Sequence, residues 1–191
     1  MITINAIRLR RILEQKNKTL DDLKNIFILR SYATDMRLSR LSHTSTDNLY
    51  PDAFIYEIAR ELNVSVDYLL GWDESPGFFV ELHSKPKDKL FELQRLLLKY
   101  CTEQKIEKKN TNVLAFKTGL DRDVIRYIME MEEHSAWWIC TSYYVISRLA
   151  VTFDFNFYTV MGFMLDMEEF GTEAVTRLSE KFEAEYHIKT L

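Results

Sequence analysis

The chain has 191 residues, 47% of them apolar and 28% charged, and a net charge of −4. This composition excludes a disordered chain, and the length admits one large domain or two small ones. Five glycines and three prolines are too few turn residues for a β-sandwich or barrel, and no glycine cluster marks a dinucleotide or phosphate loop.

Composition therefore predicts an all-α protein. Cys101 and Cys140 make no disulfide framework and read as free thiols of a reducing compartment. The opening MITINAIRLRRILEQK has no apolar signal region, and no stretch reaches the roughly 18 apolar residues of a membrane helix. A cytoplasmic location without membrane contact is the expectation. Charge is unevenly spread: residues 1–45 carry +5, 46–76 carry −6, 85–130 carry +4 and 131–191 carry −6. Fields are screened beyond about 8 Å, so a basic face on an acidic protein can still hold a phosphate backbone.

In chain order, apolar periodicity predicts helices over 4–16, 20–27, 32–42, 52–63 and 66–71. Thr19 and Asp22 form a capping-box-like start for the second helix. Ser65 caps the fifth, with Asp67 in its first turn, where a negative charge suits the helix dipole. The stretch WDESPGFFVELHSKPK, 72–87, breaks the pattern and carries the turn signal Pro76-Gly77. Further helices are predicted over 87–105, 111–118, 121–131, 138–149, 154–165 and 172–187, the last capped by Thr172 after Gly171.

The two halves resemble each other. IARELNVSVDYLLG at 58–71 overlays VISRLAVTFDFNFY at 145–158 with a shift of 87, placing Asp67 on Asp154. Glu14-Gln15-Lys16 overlays Glu103-Gln104-Lys105 with a shift of 89. A repeated unit of about 70–80 residues is the reading. It divides the chain into a domain 1–73, a linker 74–87, a second, diverged domain 88–165 and a C-terminal helix 166–191.

Residues 114–128, LAFKTGLDRDVIRYI, have the spacing of two short helices joined by a tight turn. Ala115 is small where helices cross, Gly119 supplies a positive φ, and Leu120 and Ile125 pin the second helix to the core. In the first half, Ile58, Ala59, Leu62, Val64, Ser65, Tyr68, Leu69, Leu70 and Gly71, with the opening IRLRRILEQKNKTLDDL, resemble the Cro/repressor-type (XRE) helix-turn-helix family. The resemblance spans 5–73 in outline, and 93–160 look like a second copy. It implies two lambda-repressor-like domains in tandem, double-stranded DNA as partner, and a prokaryotic or phage source. Two departures stand out: Lys24 replaces the family's alanine and Ile28 its turn glycine. The early glutamine of the second helix is Leu20 here.

The first copy has the more basic reading region and is the expected DNA reader, the second being an interaction or scaffold domain. Arg30, Ser31, Tyr32, Thr34, Arg37 and Arg40, with Lys18 and Lys24, are the candidate DNA-binding residues. Lys117, Thr118, Arg122 and Arg126 form the second candidate set, diluted by Asp121, Asp123, Glu130, Glu132 and Glu133. Val175, Leu178, Phe182 and Tyr186 make an apolar helical stripe, read either as a homodimer contact or as packing on the chain's own second domain. The aromatics of 137–158 read as core. No histidine pair has metal-ligand spacing and no nucleophile elbow occurs, so neither metal, cofactor nor enzymatic activity is expected. The expected function is a sequence-specific transcriptional repressor acting by operator occlusion. The alternative is a protein-binding module on the same frames, an antirepressor or an inhibitor of a host protein, with another regulatory protein as a candidate partner.

Overall fold

The computed structural model describes residues 4–29, 52–77, 79, 86–107, 110–130, 139, 141–157 and 171–187. The protein is all-α, with helices and no strand among the described residues. The chain divides into two compact units, Met1–Val80 and Glu81–Leu191.

The first unit contains α1 (Ala6–Gln15), α2 (Leu20–Leu29), α3 (Asp52–Leu62) and α4 (Val66–Leu70). Asn5 starts α1 twice over. Its side chain accepts from the Arg8 N–H at 3.1 Å, and its own N–H donates to the Leu69 carbonyl at 2.7 Å. That second bond ties the start of α1 to the end of α4. Leu9, Ile12 and Leu13 of α1, Leu23 of α2, Ile55, Ile58, Ala59 and Leu62 of α3, and Val66, Tyr68 and Leu69 of α4 are buried. The predicted caps of α2 and α4 form, whereas Thr172, predicted to cap the last helix, lies inside it, since that helix begins at Gly171. Thr19 N–H donates to Asp22 Oδ2 at 2.6 Å and Asp22 N–H to Thr19 Oγ1 at 3.2 Å, a reciprocal capping box. Ser65 Oγ accepts from the Tyr68 N–H at 3.1 Å.

This unit extends past the predicted boundary at 73. The Ser65 N–H donates to the Pro76 carbonyl at 2.7 Å, Arg8 pairs with Glu74 at 2.7 Å, and the Phe79 ring meets Tyr56 edge-on at 5.0 Å. The first part of the predicted linker is thus docked on the unit that precedes it.

The second unit contains α5 (Pro86–Glu103), α6 (Thr111–Thr118), α7 (Arg122–Glu130), α8 (Tyr143–Phe153) and α9 (Gly171–Tyr186). Leu93, Leu97 and Cys101 of α5, Leu114 of α6, Val124, Ile125 and Ile128 of α7, and Val145, Ile146 and Leu149 of α8 are buried. Gln94 Nε2 donates to the Met129 carbonyl at 2.5 Å, fastening α5 to the end of α7.

The two units share helix ends in a different register from the repeat read in the sequence. α3 and α8 are both 11 residues long, and their first residues, Asp52 and Tyr143, stand 91 positions apart. Asn63 and Asp154 follow them, both with positive φ (45° and 53°). The Val64 N–H then returns to the Ala59 carbonyl and the Phe155 N–H to the Ala150 carbonyl. The ends of α1 and α5 are made alike at a shift of 88: Asn17 and Lys105 have φ 51° and 54°, and the Lys18 and Ile106 N–H groups return to the Leu13 and Cys101 carbonyls. The helix predicted over 138–149 accordingly lies later, and Asp154 ends a helix where the sequence reading had it begin one. Asp tolerates the left-handed conformation because its short side chain bonds locally.

Candidate nucleic-acid interface

The α6–α7 turn is built by local hydrogen bonds. Asn110 caps α6, its side chain accepting from the Val113 N–H at 3.3 Å. Gly119 ends the helix at φ 69°, its N–H donating to the Ala115 carbonyl at 2.8 Å. The chain then starts α7 with Asp121, whose Oδ1 accepts from the Asp123 N–H at 2.7 Å. Leu120, Val124, Ile125 and Ile128 hold α7 on the core, as the spacing predicts. In the first unit the residue 91 positions before Gly119 is Ile28, and α2 runs through it to Leu29. Without a glycine to adopt positive φ, the helix does not stop there.

The second candidate set divides. Lys117 and Arg122 are exposed and flank the turn. Thr118 is a correction: it is fully buried, and its hydroxyl donates to the Leu114 carbonyl at 2.8 Å and accepts from the Leu120 N–H at 3.2 Å. Its polarity serves the turn. Arg126 is half-buried between Asp123, at 3.2 Å, and Glu130, at 3.9 Å, with its guanidinium 5.3 Å from the Tyr127 ring centroid.

In the first set, Lys18 is tied to α3 by a 2.7 Å ion pair with Glu61. Lys24 lies in α2, with its side chain outside the described residues. Arg30, Ser31, Tyr32, Thr34, Arg37 and Arg40 also lie outside the described residues.

The C-terminal stripe faces its own unit. Phe182 is buried and stacks on Phe157 at 4.1 Å, with ring planes 19° apart. Tyr186 lies 5.0 Å from Phe182 and its hydroxyl is 3.4 Å from Ser147 Oγ. The Tyr143 hydroxyl donates to Glu185 at 3.0 Å, and Lys181 sits 4.4 Å from the Tyr143 ring centroid. Leu178 is half-buried, and the Val175 side chain lies outside the described residues. Of the two readings of this stripe, packing on the second unit is the arrangement seen at Phe182 and Tyr186.

One residue at the turn escaped the sequence reading. Arg148, on α8, donates from Nε to the Thr118 carbonyl at 2.8 Å. Its only sequence signal is that it is a lone cation in the apolar run VISRLAV. Among the described residues no three His, Cys, Asp or Glu gather as metal ligands, and no helix is long and apolar enough to cross a membrane. Comparison of the chain with protein-family models, with curated proteins and with solved structures returns no match.

Proposed function

We propose that the protein is a sequence-specific DNA-binding transcriptional regulator, a prokaryotic or phage repressor that acts by occluding its operator. The observation that carries this reading is the α6–Gly119–α7 turn, flanked by the exposed cations Lys117 and Arg122 in a chain whose net charge is −4. Two short helices fixed at a glycine turn are the frame that places a helix in a major groove, and cations at its rim meet phosphates. The resemblance of 58–71 to the Cro/repressor-type family supports the same reading for the first unit. The test is binding of the intact protein to fragments of its source genome at two salt concentrations. Specific fragments retained at the higher salt support it; uniform release of every fragment contradicts it.

A second reading is favoured by Phe116. This ring on α6 is 90% exposed, one residue before Lys117. An apolar ring in water beside a turn is a better anchor for a protein groove than for phosphates. On this reading the protein is an antirepressor or inhibitor that docks through α6. Phe116→Ala then abolishes capture of the partner and leaves thermal unfolding unchanged.

A further inference from the structure

Arg148 is held at the turn in three ways. Its Nε–H donates to the Thr118 carbonyl, its guanidinium lies 6.0 Å from the Tyr144 ring centroid, and it rests against the bare Cα of Gly119. A Cβ built on Gly119 would overlap Arg148 Nη2 and stand 3.2 Å from Cζ. Only one of the five guanidinium N–H groups is used by the Thr118 carbonyl. Arg148 is half-buried, Lys117 and Arg122 are exposed, and none of the three is ion-paired among the described residues. Elsewhere among the described residues Arg8, Lys18, Arg60, Lys99 and Arg126 each face a carboxylate, while Arg10, Arg11, Lys16 and Lys105 show no ion pair. Lys117, Arg122 and Arg148 differ in standing at one turn, beside Asp121 and Asp123.

The repeat sharpens this. Counting back 91 positions, the counterparts of Lys117, Arg122 and Arg148 are Ile26, Ser31 and Glu57. Glu57 is paired with Arg60 within α3. By this count the first unit has no cation at the three positions, and the charge at the α8 position is reversed.

We infer that Arg148 contacts a backbone phosphate of duplex DNA, with Lys117 and Arg122 beside it, at the α6–α7 turn. This rests on the DNA-binding reading above and adds a residue from outside the two helices of the motif. A guanidinium already fixed by a carbonyl, a ring and a glycine loses little further freedom when it binds. Its planar fork suits phosphate oxygens. Lys117 and Arg122 add charge, and Arg148 sets the register of the turn on the backbone.

The experiment measures binding of the intact chain to a short mixed-sequence DNA duplex over a range of salt. Wild type, Arg148→Ala, Arg148→Gln and Arg148→Lys are compared, with thermal unfolding of each. Gln can still donate to the Thr118 carbonyl but carries no charge, so it separates phosphate contact from support of the turn. The expected result is a salt slope reduced by about one for Gln and Ala and retained for Lys, with Gln unfolding near wild type. A duplex-binding protein whose slope is the same in wild type, Ala and Gln overturns the inference and leaves the DNA-binding reading standing. A wild type that fails to bind the duplex even at low salt removes the DNA-binding reading and this contact with it.

Discussion

Asn63 and Asp154 hold the same place in the two units, each the left-handed residue after an 11-residue helix, with φ of 45° and 53°. In both, the next N–H reaches back to an alanine carbonyl, Ala59 or Ala150, so the same helix end is made twice. The two residues differ in chemistry but share a short polar side chain that tolerates this conformation. The repeat is thus carried by how helices stop as much as by which residues fill the core.

Substitutions at these ends should separate backbone from side-chain effects. Asp154→Gly should be neutral or mildly stabilising, because glycine adopts positive φ freely, and Asn63→Gly should fall slightly below it, because it also loses the bond that Asn63 Oδ1 accepts from the Phe79 N–H at 3.4 Å. Asn63→Val and Asp154→Val should each cost roughly 1–2 kcal/mol, the penalty of forcing a side chain left-handed. Chemical denaturation of the four variants checks this. Equal loss in the Gly and Val variants would mean that side-chain contacts, not φ, hold these ends.

Gly119 has a double requirement. It sits at φ 69°, and Arg148 lies against its α-carbon. Gly119→Ala should therefore cost more than the roughly 1–2 kcal/mol of the left-handed penalty alone, because the guanidinium must also move. In the Arg148→Ala background the added cost of Gly119→Ala should shrink. A double-mutant cycle on thermal or urea unfolding reads the coupling, and strict additivity would contradict it.

The capping box at α2 predicts an acid response. Hydrogen bonds from the Thr19 hydroxyl and then the Thr19 N–H, with the charge of Lys18, hold the Asp22 carboxyl below its ordinary value of 3.8. A depressed folded-state value means the cap contributes fully above that ordinary value and is lost as pH falls through the lowered one. Asp22→Asn should remove this part of the acid dependence while leaving the start of α2 less stable at neutral pH. A side-chain titration by NMR with a midpoint at or above 3.8 would contradict it.

The C-terminal helix should be needed for the stability of the second unit. Phe182→Ala removes a buried ring stacked on Phe157 and should cost roughly 3–5 kcal/mol, whereas Tyr186→Phe, which loses one half-exposed hydroxyl contact, should cost about 1 kcal/mol or less. Deleting 171–191 should strip Tyr143 and Phe157 of their cover and lower the unfolding midpoint. A truncated chain that unfolds like the intact one would instead return the stripe to an intermolecular role.

What could be read from the sequence was local. The Thr19–Asp22 box, the Ser65 cap and the Gly119 turn depend on residues three or four apart, and each forms as expected. Thr118 was misread because a hydroxyl can turn back to its own helix, and spacing does not reveal which way it turns. Arg148 was missed because its partner lies on another helix, and only packing brings them together. The shift of 87 aligned Asp with Asp, yet the aspartates do different work: Asp67 lies in the first turn of α4 and Asp154 ends α8. An identity outweighed two helix ends that leave no identity to align.

Tyr56 and Ser147 also stand 91 positions apart, and each meets an aromatic from later in its own unit: the Phe79 ring meets Tyr56 edge-on, and the Tyr186 hydroxyl lies 3.4 Å from Ser147 Oγ. A cut after 73 would part Tyr56 from Phe79, and a cut after 165 would part Ser147 from Tyr186. A cut at 80–81, between Met1–Val80 and Glu81–Leu191, keeps both pairs together, so those are the pieces to express separately when asking which half does what.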